Sequence, residues 1–528
     1  MSVATFRFLF FLACVFLLYF ITPNSKRWIV LLIGSIVFYA ISSIKSMLFI
    51  LVTTISVYYA ALELEKLNLE SQTAIQNAEK GKRKSIRAVY KKKKKRILAL
   101  ALIFNLGILG IMKYTGFILS IFGLALPSLG FFENSSGTGF LLPLGISFYT
   151  FQAAGYVIDV YYGKIRAERN LPKFALFISF FPSIIQGPIS RFSQLSSQLY
   201  EGHRFDLHQL KRGSLLILWG YFKKLVVADR LYPAVWGVLD KYTKYSGTGI
   251  AIAMVFYCIE LYADFSGGID ISRGFCETLG IELTPNFRQP FYARSLSEFW
   301  RRWNISLNDW VRDYIFYPIA TGKPYNKLQK VIREHSNQAL AEKVCVSLAS
   351  FITFMVIGIW HGAAWAYVLY GLWYGGISAI SNLLTGLYER FHQITHIPSA
   401  SYGWKLFQRL RTLMIVLLSF YLLLPASPAD SVAMFLKTIT DFEFSRAAFI
   451  KVLTKLVFKK QFPVAAWGTI AIMIVGALSE HGRDIRKDLE ALPTALEWSV
   501  ILAGIMIVLI FGFYGPEYDG TSFIYQVF

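Results

Sequence analysis

Long apolar runs recur along almost the whole chain, and each is close to the length that crosses a lipid bilayer. The first three occupy residues 6–21, 28–44 and 47–62. About twenty apolar residues in a helix cover roughly 30 Å of hydrocarbon, and spanning structures must satisfy all their backbone hydrogen bonds internally. Since 55% of the 528 residues are hydrophobic and only 16% are charged, the sequence predicts an all-α, polytopic integral membrane protein.

Later runs extend the same pattern. They occupy residues 97–112, 140–162, 214–227, 250–265, 344–360, 366–380, 413–424, 464–478 and 498–513. Together with the first three they predict about 11–12 crossings. Two further pieces, residues 174–189 and 311–320, are broken or ended by proline. Irregular backbone is tolerated at membrane depth only where protein or a wet cavity satisfies it, so both are predicted to be re-entrant.

Positive charge is concentrated between the apolar runs, and its location orients the chain. The densest cluster is a predicted loop at residues 80–96, which includes five consecutive lysines at 91–95. Lysine-rich and arginine-rich loops stay cytoplasmic, so the three preceding crossings put the N-terminus outside. Residues 321–343 and 388–411 are also expected inside, and the continued count puts the C-terminus outside. We therefore attribute the net charge of +22 to membrane orientation and expect no nucleic-acid partner.

The four cysteines do not form a recognisable framework. Cys14, Cys258, Cys276 and Cys345 are widely separated and lie mostly inside apolar runs. They show neither disulfide-type pairing nor the C-x-x-C spacing of a zinc site. We expect them to be core residues, and we expect no bound metal or cofactor.

One imidazole, His361, stands between two apolar runs in the hexapeptide WHGAAW at 360–365. An ionisable group at membrane depth is costly and is a functional candidate by default, and imidazole changes its charge near neutral pH. From spacing alone a structural role is equally compatible, because polar side chains also hydrogen-bond neighbouring membrane helices.

Carboxylates collect in the middle of the chain. Glu260 and Asp264 are four residues apart on one face of an apolar helix, and SGGID follows at 266–270. We expect these acids to pair with Arg273 or Arg288 and to hold helices together, since structural ion pairs are common among such groups.

Residues 294–317, with the sequence RSLSEFWRRWNISLNDWVRDYIFY, are both charged and aromatic. Glu298 is four residues from Arg294 and four from Arg302, the spacing of helical ion pairs. Tryptophans interleave with these charges, and such rings favour the membrane interface. We predict an interfacial helix that frames a site.

Six motifs resemble, in order, those of one protein family. They are LPLGISFYTFQ (142–152), FPSIIQGPISRF (181–192), YFKKLVVADRL (221–231), LYADFSGGID (261–270), SEFWRRWNISLNDWVRDYIFYP (297–318) and GIWHGAAW (358–365). The family is the membrane-bound O-acyltransferase (MBOAT) family. The resemblance is closest to its bacterial alginate O-acetyltransferase (AlgI) branch and more distant to the D-alanyl transferase DltB.

The resemblance implies one MBOAT domain over residues 1–528. Residues 1–104 would form N-terminal spans and the basic loop, 105–425 the catalytic core, and 426–528 the C-terminal spans and tail. It also implies that His361 is catalytic. The family usually has a second histidine, and this chain has Asn304 at that position. An imidazole can take a proton from a hydroxyl that attacks a thioester, whereas the Asn304 amide cannot.

The resemblance also suggests how substrate is bound. Expected substrate-binding residues are Trp300, Arg301, Trp303, Asp264, Trp360 and Trp365. No serine, cysteine or threonine adjoins His361 in a nucleophile elbow or triad arrangement. We therefore expect direct attack by the acceptor hydroxyl.

The last six residues, FIYQVF at 523–528, resemble the ending of the same family. The resemblance implies that Tyr525 accepts the acyl group and passes it on. A phenol with a pKa of about 10 is a better leaving group than a sugar hydroxyl, so its ester keeps transfer potential. The alternative is an interfacial aromatic residue that anchors a terminal helix.

By resemblance, the protein is expected in the bacterial plasma membrane. It would carry an acetyl group from cytoplasmic acetyl-CoA, or from an acyl carrier thioester, to alginate or another exported or envelope glycan. An external SGNH-type partner, similar to AlgJ or AlgX, would assist the transfer. Two alternatives are D-alanyl transfer from an acidic carrier protein to a teichoic-acid-type polymer, and a non-enzymatic polymer transporter.

Overall fold

The computed structural model describes residues 5–122, 142–425, 427–447, 450 and 462–514. In these ranges the secondary structure is helical, with one isolated bridge between Phe287 and Trp303 and no strand. The all-α prediction is therefore confirmed. The chain divides into two compact units, Met1–Ser214 with Ser272–Thr284, and Leu215–Ile271 with Pro285–Phe528.

The first unit begins with eight helices among the described residues. They are α1 (Phe6–Ile21), α2 (Arg27–Ser42), α3 (Ile44–Gln76), α4 (Arg83–Ile121), α5 (Ile146–Tyr162), α6 (Leu171–Ser179), α7 (Phe181–Ile185) and α8 (Phe192–Tyr200). Two helices contribute residues to both units, α9 (Leu207–Tyr221) and α11 (Gly247–Thr278).

The second unit contains the remaining helices of the described ranges. They are α10 (Asp229–Leu239), α12 (Leu296–Trp300), α13 (Ile305–Val311), α14 (Tyr317–Ala320), α15 (Lys323–His335), α16 (Gln338–His361), α17 (Trp365–Leu383), α18 (Thr385–Thr395), α19 (Tyr402–Leu423), α20 (Pro428–Thr440), α21 (Phe462–Glu480), α22 (Ile485–Glu490) and α23 (Thr494–Phe511). Two π-helical turns, Phe222–Ala228 and Arg312–Phe316, interrupt the α-helical runs.

Eight described helices are long and apolar enough to cross a membrane: α2 with the turn before it, α3, α4, α11, α16, α19, α21 and α23. The predicted total of about 11–12 is larger. Several predicted runs fall short for physical reasons. Helices α1 and α5 have only 16 and 17 residues, and residues 214–227 pass from α9 into the first π-helical turn.

The basic segment at 80–96 is not a loop. Helix α4 begins at Arg83 and runs for 39 residues, so that the lysine-rich part and the following apolar part form one continuous helix. Lysine and arginine are good helix formers, and no proline or glycine separates Arg83 from Gly107. The prediction of a loop was wrong because charge was taken as a sign of irregular structure.

Helix α11 is the most buried of the candidate spans. In its most apolar window 72% of the residues are buried, compared with 11% in α23. Its residues Tyr257, Cys258 and Leu261 belong to the largely aromatic core of the second unit, together with side chains of α12, α17 and α19. This helix therefore supplies the wall against which the candidate site is built.

The two proline-interrupted segments are irregular, as their sequences predict. Residues 174–189 divide into α6 and α7 around Phe180, and almost all of them are buried. Residues 311–320 pass from the end of α13 through the second π-helical turn into the short α14. Their re-entrant character stays a prediction.

Candidate functional site

His361 is the last residue of α16, at the closed end of the hairpin that α16 forms with α17. The hairpin is tight because it contains glycines at its contact. A Cβ atom on Gly358 would lie 2.8 Å from the Cα of Gly371, closer than real Cβ contacts. Gly362 is similarly constrained, since a side chain there would collide with the ring of Tyr367. The glycine that follows the histidine thus leaves room for an α17 tyrosine.

A pocket opens beside His361 within the second unit. It encloses about 540 Å³, part of it open to solvent. The residues that line it are Tyr257, Cys258, Leu261, Phe299, Trp303, His361, Tyr367, Tyr370, Tyr374, Val416, Phe420 and Leu423. The lining is mainly apolar and aromatic with a few polar groups, which is the usual composition of a small-molecule site.

Aromatic rings surround the His361 imidazole, which is only 8% exposed. The Tyr370 ring is 5.6 Å away and nearly perpendicular, and the Tyr367 ring is stacked at 6.4 Å. The Trp360 ring is 5.0 Å away, also edge-on. These ring contacts hold the imidazole in one position at the pocket wall.

The predicted substrate-binding tryptophans have different surroundings. Trp303 lines the pocket and is stacked on Phe299 at 5.5 Å. Trp300 is buried and contacts the Tyr374 ring at 4.8 Å, so it supports a pocket residue. Trp365, by contrast, is 51% exposed.

Arg301 is exposed, and its guanidinium is 3.3 Å from the Ser297 hydroxyl. Of the predicted catalytic and substrate-binding residues, the described structure brings His361 and Trp303 together at the pocket. The catalytic and binding roles themselves stay predictions.

The prediction of one continuous helix over residues 294–317 was wrong, because the helix is interrupted at Asn304. Its φ of 46° is left-handed, and the chain leaves α12 and begins α13 around it. Asparagine tolerates this conformation better than most residues. Its Oδ1 accepts a hydrogen bond of 3.1 Å from Asn286, and it is 3% exposed. Asn304 is not among the lining residues of the described pocket.

The predicted ion pairs of this segment are present. Glu298 lies 2.8 Å from Arg302 and 3.6 Å from Arg294, and Arg302 also pairs with Glu480 at 2.6 Å. Burial alone would raise the pKa of Glu298. The backbone N–H of Arg294 and the nearby guanidinium groups outweigh this effect, so the pKa of Glu298 lies below its ordinary value.

Asp264 pairs with a cation that the sequence analysis did not select. Lys224, in the first π-helical turn, lies 2.6 Å from Asp264 and 2.8 Å from Asp229. The adjacent Lys223 lies 2.7 Å from Asp270. The expected pairing with Arg273 or Arg288 stays a prediction, and Lys223 and Lys224 are partners that it did not include. The cations come from a segment some 40 residues earlier in the chain.

Glu260 is almost completely buried one helical turn before Asp264. Within the described residues, neither carboxylate oxygen has a hydrogen-bond partner. The same ranges contain no group of three histidine, cysteine or acidic residues that could hold a metal ion.

Two features of the pocket were missed from the sequence. Tyr367, Tyr370 and Tyr374 follow the histidine motif at spacings of three and four, which places them on one face of α17. That spacing was a readable signal. Cys258 lines the same pocket, a position that its place in an apolar run does not predict. Tyr525 lies outside the described residues.

Comparisons with known proteins show which family this chain belongs to. Residues 164–332 match the model of the membrane-bound O-acyltransferase family. A probable alginate O-acetylase, AlgI, of Azotobacter vinelandii is 33% identical over 71% of this chain and 68% of its own length. This chain belongs to the membrane-bound O-acyltransferase family. As a membrane-bound O-acyltransferase it is an enzyme, which excludes the alternative of a non-enzymatic transporter.

Other relatives of this chain carry different names. A peptidoglycan O-acetyltransferase of Helicobacter pylori is 28% identical over 70% of this chain and 66% of its own length. A teichoic acid D-alanyltransferase of Streptococcus thermophilus is 32% identical over 46% of this chain and 57% of its own length. These matches span between 57% and 68% of the three relatives. The MBOAT match ends before His361.

Proposed function

We propose that this protein transfers an acetyl group from cytoplasmic acetyl-CoA to hydroxyls of an exported or cell-envelope polysaccharide, in a bacterial plasma membrane. The observation that carries the proposal is a buried imidazole at the wall of a largely apolar pocket in a member of an O-acyltransferase family. The polysaccharide acceptor is supported by relatives named for alginate and for peptidoglycan O-acetylation.

In the proposed reaction, His361 acts as general base. It takes the proton of the acceptor hydroxyl while that oxygen attacks the thioester carbonyl. The C–S bond then breaks, an ester C–O bond remains, and the thiolate of CoA takes the proton from the imidazolium. General acid–base groups of this kind contribute about two to four orders of magnitude in rate.

The decisive experiment uses membrane vesicles that contain the protein, its external SGNH-type partner and acetyl-CoA labelled in the acetyl group. We expect base-labile label in alginate, and a loss of about two to four orders of magnitude in the transfer rate of His361→Ala. The matched control is His335→Ala, because His335 is an exposed residue of α15. Transfer by His361→Ala within a few-fold of wild type would remove the catalytic assignment.

D-alanyl transfer is the second candidate, because a relative named as a teichoic acid D-alanyltransferase is 32% identical. A parallel assay with a D-alanyl carrier thioester and lipoteichoic acid separates the two. Purified peptidoglycan as acceptor tests the chemistry for which the peptidoglycan O-acetyltransferase is named. The acceptor that receives label identifies the substrate class.

A thioester on the protein is a second route for the acyl group. Cys258 lines the same pocket as His361, and cysteine is a capable acyl carrier. Direct attack predicts that Cys258→Ala retains most of its transfer rate. Loss of transfer in that variant, with acetylated Cys258 in the wild-type protein, would favour the covalent route.

The proposal includes a relay on the outer side of the membrane. Both termini would lie outside, and Tyr525 would receive the acyl group and pass it to an SGNH-type partner, similar to AlgJ or AlgX. Tyr525→Phe keeps the ring but removes the phenol oxygen, so glycan acylation should collapse while the protein remains folded. An anchoring ring alone would lose at most about 1 kcal/mol. Normal acylation by the variant would eliminate the relay.

A further inference from the structure

Several arginines collect where the first half of α19 meets the segment before α12. The Arg411 guanidinium donates to the backbone carbonyl of Arg294 at 3.0 Å. The Arg409 guanidinium lies over the ring of Tyr292, 5.3 Å from its centre. Tyr292 is two residues before Arg294 in the chain. Two arginines of α19 and one that precedes α12 are therefore neighbours.

Arg301 adds a further guanidinium at the other end of α12. It directly follows this five-residue helix, it is exposed, and its guanidinium is 3.3 Å from the Ser297 hydroxyl. Five helical residues rise only about 7.5 Å, so both ends of α12 are within the reach of long arginine side chains. We call Arg294, Arg301, Arg409 and Arg411 the α12 arginine cluster.

The cluster carries more positive charge than nearby carboxylates neutralise. Glu298 and Glu480 both pair with Arg302, at 2.8 Å and 2.6 Å. Glu298 also lies 3.6 Å from Arg294. Among the described residues, the other three members of the cluster have no carboxylate partner. The cluster therefore offers cationic groups to an anion from outside the described chain.

Arg409 indicates the kind of anion that fits. Its Nε atom is buried, and within the described ranges it has no hydrogen-bond partner. A buried N–H without an acceptor is costly. A guanidinium presents five N–H donors in a planar fork, and this fork matches the oxygens of a phosphate group. A phosphate would therefore satisfy the Arg409 N–H together with the exposed guanidinium groups of Arg301 and Arg411.

The cluster lies beside the wall of the pocket, because α12 belongs to both. Phe299 of α12 lines the pocket, and Trp300 contacts the pocket residue Tyr374 at 4.8 Å. Both α12 side chains are buried, whereas the arginines that flank the helix are exposed. The sequence predicts residues 388–411, which include the two α19 arginines, on the cytoplasmic side. This is the side from which the proposed donor comes.

We infer that the α12 arginine cluster binds the phosphate groups of the acyl donor, namely the pyrophosphate and the 3′-phosphate of acetyl-CoA. The inference rests on the proposed donor and identifies the residues that recognise it. Acetyl-CoA carries its phosphates at one end and its thioester at the other, joined by an uncharged pantetheine arm. A charged end at the cluster therefore leaves the thioester end for the pocket. Arginine forms bidentate, charge-assisted hydrogen bonds to phosphate. Anionic phospholipid headgroups offer the same chemistry, so the experiment separates the two sources.

Isothermal titration calorimetry with CoA tests the assignment without any transfer reaction. The full-length protein is placed in nanodiscs of phosphatidylcholine, which has no net charge. Arg409→Gln and Arg411→Gln should each weaken CoA binding by about tenfold or more, because each removes a charge-assisted hydrogen bond. The matched control is Arg390→Gln, since Arg390 is an exposed arginine of α18 in the same predicted cytoplasmic segment. Its CoA affinity should equal that of wild type.

Acetyl transfer gives a second, kinetic measurement. In Arg411→Gln the KM for acetyl-CoA should rise about tenfold while kcat stays near that of wild type, the pattern of a lost binding contact. With S-acetylpantetheine, which lacks the phosphates, kcat/KM of the variant should equal that of wild type. Arg411→Lys keeps the charge and should recover part of the CoA affinity. His361→Ala, by contrast, should lower kcat.

Each outcome decides the inference. Wild-type CoA affinity in the cluster variants overturns it, and so does a wild-type protein that does not bind CoA. Native mass spectrometry in nanodiscs that contain phosphatidylglycerol measures bound lipid. Variants that lose this lipid but keep their CoA affinity assign the cluster to a lipid headgroup and also overturn the inference. If Arg409→Gln fails to fold, Arg411→Gln and Arg301→Gln, at exposed positions, give the decision.

The same measurements separate the inference from the proposed function. Cluster-dependent CoA binding by a protein that transfers no acetyl group from acetyl-CoA would support the phosphate site and reject the proposed function. Acetyl transfer with an unchanged KM for acetyl-CoA in every cluster variant would support the proposed function and overturn the phosphate site.

Discussion

Replacing Lys224 with methionine should destabilise the protein strongly. The Lys224 ammonium is 2.6 Å from Asp264 and 2.8 Å from Asp229, and its side chain is 2% exposed. At 2.6 Å and an effective dielectric constant of about 20, the gross attraction to one carboxylate is about 6 kcal/mol. Desolvation cancels much of this attraction in the intact pair. Removing only the cation takes this partner away from two buried carboxylates, and breaking a buried pair in this way costs about 3–5 kcal/mol.

Thermal unfolding in detergent, followed by fluorescence-detected size exclusion, measures this loss. The matched control is Asp309→Asn, which breaks the 2.7 Å pair with Arg312 where both side chains are more than 40% exposed. Exposed pairs contribute less than about 1 kcal/mol, so the control should melt close to wild type. Adding Asp264→Asn to the Lys224 variant should restore part of the loss. A Lys224→Met protein that melts with wild type would refute this account of the buried pair.

Three further predictions concern the hairpin, the helix break and the orientation of the chain. Gly358→Ala should reduce both thermal stability and acyl transfer, because the new Cβ meets the Gly371 backbone. The control is Gly376→Ala in α17, where a Cβ has open space, and this variant should behave as wild type in the same assays. Asn304→Ala should lower the free energy of unfolding by about 1–3 kcal/mol, because alanine is strained in a left-handed backbone and the Asn286 amide loses its 3.1 Å partner. Thermal unfolding measures this loss. If Asn304→Gly is no more stable than Asn304→Ala, backbone strain is not the cause. A cysteine at Ala88 should react with an impermeant thiol reagent only after cells are permeabilised, and labelling of intact cells would invert the topology.

Local periodicity predicted the elements whose cause is local. The run at 344–360 became the centre of α16 because no proline or internal charge interrupts it. The pairing of Glu298 with Arg294 and Arg302 followed from four-residue spacing. Contacts between residues one helical turn apart could therefore be predicted from the sequence.

Features that depend on distant parts of the chain were not predictable in the same way. The partner of Asp264 is 40 residues away and is buried in a π-helical turn. The break at Asn304 is held by a loop, through the Asn286 amide and the bridge from Phe287 to Trp303. Side-chain chemistry gave His361 as a candidate, but only the packed hairpin shows which tyrosines meet it.

The length of α4 has a geometric consequence for the basic segment. Thirty-nine residues at 1.5 Å each make a rod of about 58 Å, whereas a bilayer core crossed at a tilt of 40° takes up only about 39 Å. Roughly 20 Å of this rod must therefore lie outside the hydrocarbon at any ordinary tilt, a length that matches the 14 residues from Arg83 to Arg96. The lysines at 91–95 then lie on a helical extension outside the hydrocarbon. A protease such as trypsin can reach this extension without disturbing the part of the helix inside the membrane.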